Sequence, residues 1–220
     1  MIEVIVTTLK EARQAERYGA DRLELIADMK AGGTTPSFGT IRNVIEQTGI
    51  PVHVMIRPHA DSFVYNEDDE ETLLADVGLC RELGAAGIVF GALTADGKID
   101  ERLLGEVIKH KGDMALTFHR AIDEVTDMIA AIEILNEFPE VDHVLTSGGA
   151  ATAREGIKSL KAMLESAEMN ILPGAGIDAD NVRELLETLD VSFVHVGSGV
   201  RTDGALDESK FRQMHERMKR

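Results

Sequence analysis

Cysteine is nearly absent from this sequence. Cys80 is the single one in 220 residues, so no disulfide can form within the chain. It falls in an expected helix on the same side as Ala75, Leu79 and Leu83, where a buried, inert thiol is expected. No apolar run approaches the roughly 20 residues of a membrane span. The opening MIEVIVTTLKEA lacks a basic region followed by a long apolar stretch, so no signal peptide is expected and the cytoplasm is the expected location. Basic residues are scarce. Lys and Arg number 23 against 39 Asp and Glu, a net charge of −16. Such a field repels nucleic acid and anionic membranes, and neither is an expected partner. An anionic small molecule would need locally placed arginines or helix N-termini. No linker, charge block or low-complexity stretch interrupts the chain, so residues 1–220 read as one domain. No glycine-rich dinucleotide signature follows the first strand, where only Thr7-Thr8 stands, which weakens an open doubly wound sheet.

The sequence does contain a strict alternation of strand and helix. Strands are expected at residues 2–6, 21–26, 51–56, 87–90, 114–118, 142–145, 170–172 and 193–196. Helices are expected at 9–18, 37–47, 68–83, 100–110, 125–138, 152–165, 179–189 and 207–219. Such alternation demands a parallel sheet. Eight units close a barrel, and this length lies near the short end for a (β/α)8 TIM barrel.

The fifth strand, in MALTFHRAID (residues 114–123), anchors the functional reading. Side chains alternate across a strand, so Ala115, Thr117 and His119 share one face and Leu116 and Phe118 the other. By the same parity, faces ill-suited to packing under helices carry Glu3, Arg22, Glu24, His53, Met55, Arg57 and His195. A barrel lumen is normally filled by Val, Ile and Leu, and unpaired buried charge is costly. Glu3 and Arg22, near strand starts, suit a structural salt bridge. Glu24, Arg57, His119 and His195, placed nearer the carboxyl ends, suit function. Glu24, His119, His195 and Asp123 are candidate catalytic groups, the carboxylate and imidazoles exchanging protons near neutral pH.

Glycine-rich turns follow strands six, seven and eight: Thr146-Ser147-Gly148-Gly149, Pro173-Gly174-Ala175-Gly176 and Gly197-Ser198-Gly199. Such turns let backbone amides approach an anion. Thr146, Ser147, Gly148, Gly174, Gly176, Ser198 and Gly199, with Arg57 and Arg120, are the candidate ligand-binding residues. Glu24, His119 and His195 could also supply oxygen and nitrogen ligands to a metal, whose identity these residues do not specify. Copper(I) prefers sulfur, and Met29 and Met55 are the nearest candidates by position, although neither belongs to a Met- or Cys-rich cluster. Met214 and Met218 read as packing groups. A small-molecule or metal ligand is the expected partner, and a homo-oligomer is left open.

DRLEL with GGTTPS, PVHVMIRP, TFHRAID, VLTSGG, GAGI and the late strand with His195 occur in this order over nearly the whole chain. In these motifs the chain resembles the CutC family, described as copper homeostasis proteins built as (β/α)8 barrels. The resemblance implies a cytoplasmic protein linked to copper handling, with copper as its ligand. It also implies a pocket at Glu24, Arg57, His119, Arg120 and the glycine loops. Family members said to bind copper(I) do so through cysteines, some near the ends of the first two strands; Val6, Thr7 and Ile26 occupy those places here. The residues themselves read instead as an enzyme pocket for a small phosphorylated or carboxylated metabolite.

Overall fold

Eight strands form in the expected order: β1 (Ile2–Val6), β2 (Arg22–Leu25), β3 (Val52–Met55), β4 (Gly87–Phe90), β5 (Ala115–Phe118), β6 (His143–Thr146), β7 (Asn170–Pro173) and β8 (Val194–Val196). The computed structural model describes residues 1–219. In it β1 pairs in parallel with both β2 and β8, and the remaining neighbours pair in parallel in sequence order. First and last strands meeting in this way make a nearly closed (β/α)8 barrel. Among the described residues no ladder joins β7 to β8, so the ring has one seam.

The helices α1 (Leu9–Arg17), α2 (Phe38–Gln47), α3 (Glu67–Glu82), α4 (Glu101–Lys111), α5 (Met128–Asn136), α6 (Ile157–Ser166), α7 (Val182–Leu189) and α8 (Glu208–Met218) alternate with the strands. Short polar side chains start most of them by accepting orphan backbone amides. Thr8, Ser37, Asp100, Asp127 and Asp207 do so, and Asn66 forms a reciprocal capping box with Asp69. Helices five to seven begin later than the sequence pattern suggests. Arg120–Glu124 is a separate 3-10 turn, Asp127 restarts the chain as α5, and Asp178 holds the amides of Asp180 and Asn181 in a turn ahead of α7. α6 has no side-chain cap. No helix among the described residues is long and apolar enough to cross a membrane.

Alternation along each strand divides the core in two. Outward-facing Val4, Val6, Leu23, Leu25, Val54, Ile88, Phe90, Leu116 and Phe118 belong to one large apolar cluster under the helices. Cys80 is buried in that same cluster, as expected. Burial pushes its thiol up to about 12, with Asp76 adding to the effect. Ile26, Met55 and Val89, flanked by Ile5 and Met29, form a second and much smaller cluster. Much of the rest of the lumen is polar. That division positions the site.

Candidate functional site

Register sets the depth of each polar group in the lumen. Glu3 lies level with Arg22 and with His195, whereas Glu24 lies level with Ile5, two residues further along. The Glu3 carboxylate is fully buried and pairs with the Arg22 guanidinium. It also accepts a 2.8 Å hydrogen bond from His195 Nδ1. Burial works against ionising Glu3, but the His195 hydrogen bond and the charges of His195 and Arg22 prevail and hold its pKa at about 2. Two further imidazoles share this lower region. His143 Nε2 lies 3.4 Å from Arg22 Nη1. His53 fits against Gly87, where any side chain would intrude, a Cβ lying 2.6 Å from the ring. Burial, reinforced by Arg22, lowers His53 to about 4 and also lowers His143. The expected structural salt bridge is therefore present. His195 belongs to its layer, deeper than the sequence placed it, because the β8–β1 register is not written in either strand.

Above this layer a cavity of about 250 Å³ opens at the carboxyl ends of the strands. Glu24 and His195 form its floor, Ile5, Ile26, Met29, Met55 and Leu145 an apolar wall, and Arg57, Phe63, His119, Arg120, Gly176 and Ser198 its rim. Glu24 is 2% exposed. Its Oε1 has no hydrogen-bond partner among the described residues, and its Oε2 lies 3.7 Å from His195 Nε2. Burial raises its pKa to about 7, Glu3 adding to the rise and His195 opposing it. The histidine moves in parallel. Burial disfavours its charge, yet Glu24 and Glu3 outweigh burial and raise it. The Glu24 carboxyl thus lies beside an imidazole whose charged form it favours.

His119 behaves differently. It ends β5, and its Nδ1 accepts the Ala121 amide at 3.2 Å. A neutral imidazole that accepts at Nδ1 carries its proton on Nε2, and Nε2 is buried without a partner. Burial and then the Arg57 charge lower its pKa to about 3, so near neutral pH the ring is a fixed N–H donor and not a proton carrier. Its ring packs 4.9 Å from Phe63 and lies where any side chain on Gly91 would intrude.

Arg57 departs from the expected anion fork. Nη1 donates to the Ala31 and Gly33 carbonyls at 3.3 and 3.2 Å, and Nη2 to Ala60 at 3.1 Å. The guanidinium thereby ties the loop after β2 to the loop after β3 while lying over Phe63, 4.4 Å from its centroid. These partners are neutral. No carboxylate lies in ion-pair range of Arg57 among the described residues, and Nε is buried without a partner. Its positive charge remains uncompensated beside the cavity.

The first glycine loop, after β6, also differs from expectation. The Asp123 carboxylate accepts the Thr146 hydroxyl at 2.5 Å and the Ser147 and Gly149 amides at 3.2 and 3.0 Å. The Gly148 amide donates to Thr146 Oγ1. The amides after β6 thus hold the protein's own carboxylate, which explains why Thr146, Ser147, Gly148 and Asp123 stand outside the cavity lining. Arg120 pairs with Asp123 at 2.7 Å and reaches the cavity edge. Gly176 and Ser198 line the cavity; Gly174 packs between Leu145 and His195; Gly199 abuts the Ile177 carbonyl beside a shallower depression. Phe63 and Leu145 were not singled out by the sequence reading: Phe63 lies in the loop after β3 and Leu145 on β6, and neither carries a polar group that would signal a site.

One donor atom each of Glu3, Glu24 and His195 lies within 4.8 Å of the others, close enough for a metal. Yet the two Glu3 oxygens already hold Arg22 and His195 Nδ1, so the Arg22 guanidinium supplies the positive charge there.

Comparison with known proteins adds the family. The CutC family model matches residues 1–200. The human copper homeostasis protein cutC homolog is 40% identical over 214 residues, covering 96% of this chain and 77% of the human one. A CutC family protein of Aliivibrio fischeri (strain MJ11) is 40% identical over 199 residues, covering 89% and 80% respectively. A crystal structure of CutC from Streptococcus agalactiae superposes with a TM-score of 0.85 at 28% identity, covering 91% of this chain and 99% of that one. With its motifs, its barrel and these relatives in agreement, the chain belongs to the CutC family of copper homeostasis proteins.

Proposed function

We propose that this CutC-family protein is a cytoplasmic enzyme that takes a small anionic metabolite into the rim cavity. One observation carries the reading. Glu24 Oε1, Arg57 Nε and His119 Nε2 are all buried without hydrogen-bond partners, and all three residues border the same cavity. Buried polar atoms are normally satisfied, and orphaned ones cost about 1–3 kcal/mol each. A ligand with an anionic group and a further acceptor would satisfy Arg57 and His119 together. The volume, below the ~300–1,000 Å³ of drug-sized pockets, favours a small one. The acidic exterior argues against nucleic acid or an anionic membrane as partner.

Direct copper(I) binding is the second reading, favoured by the family and by the Met29 and Met55 side chains on the cavity wall. The remaining donors do not fit a resident ion. Cys80 lies outside the lumen. With Nδ1 accepting the Ala121 amide, His119 carries its proton on Nε2 and has no free lone pair for a metal, and His195 Nε2 lies 3.7 Å from the Glu24 carboxyl. Two thioethers alone hold copper(I) weakly.

A thermal-shift comparison tests both readings. Phosphate or sulfate should raise the melting temperature by mass action on the folded state, and Arg57→Ala should remove that increment whatever it does to the baseline. Copper(I), titrated under reducing conditions, should bind weakly, unchanged by Cys80→Ala and weakened by Met29→Leu with Met55→Leu. Submicromolar stoichiometric copper with no anion increment would reverse the order of the two readings.

A further inference from the structure

We infer that the rim cavity enolises its substrate, a small carbonyl compound bearing a phosphate or carboxylate, with Glu24 as the base and the His119 Nε2–H as the donor to the carbonyl oxygen. The inference rests on the metabolite-binding reading above and assigns its reaction.

Geometry carries the assignment. Glu24 rises from β2 and His119 ends β5, three strands apart around the ring, so they reach the cavity from different sides. A substrate between them meets a carboxyl group on one side and an N–H donor on the other. The Ala121 amide fixes the His119 tautomer, so the donor is set before any ligand arrives, as electrostatic stabilisation of a developing oxyanion requires. Arg57, uncompensated by any carboxylate in ion-pair range, supplies the charge for the anionic substituent. Glu24 is held in turn. His195 Nδ1 donates to Glu3 at 2.8 Å, which turns Nε2 toward Glu24 Oε2 at 3.7 Å. His195 is thereby a positioning residue for the base.

The step balances without a co-reactant. The Glu24 carboxylate takes a proton from the carbon next to the carbonyl. The C–H electron pair becomes the carbon–carbon π bond, and the carbonyl π pair moves to oxygen. That oxygen, now an enolate, accepts the His119 hydrogen bond while the proton stays on the ring. In the reverse step Glu24 returns its proton to carbon. Burial holds the Glu24 carboxyl at about 7, close to the value a general base needs at neutral pH. Isomerisations and racemisations next to a carbonyl are the reactions that such a step serves.

Proton exchange tests this without knowledge of the physiological substrate. The full-length protein is incubated in deuterium oxide with dihydroxyacetone phosphate, ribulose 5-phosphate and pyruvate in turn, and loss of the C–H signal is followed by proton NMR. Thermal shift with the same three compounds is read in parallel. At least one compound should bind and exchange above the buffer rate. Glu24→Gln should retain binding and slow exchange by roughly 100-fold or more, and His119→Phe should slow it by roughly 100-fold. Glu24→Asp serves as a second variant should the Gln protein fail to fold. Exchange in the parent should rise with pH through about 7, and His195→Gln should displace that profile while leaving binding intact. Binding without exchange would overturn the enolisation and leave the metabolite pocket standing. Neither binding nor exchange would overturn both. Exchange undiminished in Glu24→Gln would also overturn the assignment.

Discussion

The barrel interior holds two polar layers built from the same residue types. The lower layer contains a glutamate, an arginine and histidines, and so does the upper. In the lower layer Glu3 satisfies Arg22 and His195 at once, and its charge is favoured by its neighbours. In the upper layer Glu24, Arg57 and His119 each retain an unpartnered buried atom, and burial pushes both Glu24 and His119 toward their neutral forms. Residue identity alone therefore does not separate scaffold from site. Pairing does.

Glutamate substitutions in the two layers should break the comparison most sharply. Glu3→Ala removes the carboxylate that pairs with the buried Arg22 guanidinium and accepts from His195 Nδ1, and removing one partner of a buried pair costs about 3–5 kcal/mol. Glu24→Gln removes a carboxyl that burial already disfavours as an anion, so its unfolding free energy at pH 8 should be unchanged or higher. Urea denaturation of both proteins reads the difference. Equal losses would mean that the layers are alike.

Arg57 should fall between these extremes. Its three carbonyl bonds join two loops rather than two strands, and hydrogen bonds to a charged group contribute about 1.5–3 kcal/mol each before loop relaxation. Arg57→Ala should cost about 2 kcal/mol and expose the loops after β2 and β3 to limited proteolysis, with the barrel intact.

The smallest effect concerns pH. His119 and His53 have folded-state pKa values lowered from 6.5 to about 3 and about 4. The folded protein resists protonating them, so their contribution is fully present above pH 6.5 and is lost as pH falls toward 4. Glu24, raised from 4.5 to about 7, acts in the opposite sense, its contribution being present below 4.5 and lost as pH rises through 7. Melting temperature measured from pH 8 to pH 5 should therefore fall only gently, and His119→Phe should flatten the fall. A steeper fall in the variant would contradict the neutral imidazole.

The barrel was legible in the sequence because strand–helix alternation and inward polar parity are local properties. Glu3 with Arg22 was legible for the same reason. All but one of the site's departures involved a partner distant in sequence. Asp123 finds Thr146, Ser147 and Gly149 on the next unit's loop, where sequence suggested an anion cradle. Arg57 finds carbonyls of Ala31 and Gly33, and no residue pattern announces a backbone acceptor. His195 lies level with Glu3 across 192 residues, a register only the closed ring determines. His119 was legible as a site residue, but its tautomer was set by the Ala121 amide, which made a donor of an expected proton carrier.

The missing ladder between β7 and β8 gives the barrel the mechanics of a split ring. Seven junctions are laced by hydrogen bonds, so their spacing is stiff and the bore can widen or narrow only at the eighth. His195 stands on one lip of that gap, and Gly174, packed against its ring, lies just past Pro173 on the other. Compliance is thus concentrated beside Glu24 and His195. Backbone amides facing the gap should exchange with solvent faster than those of any laced junction.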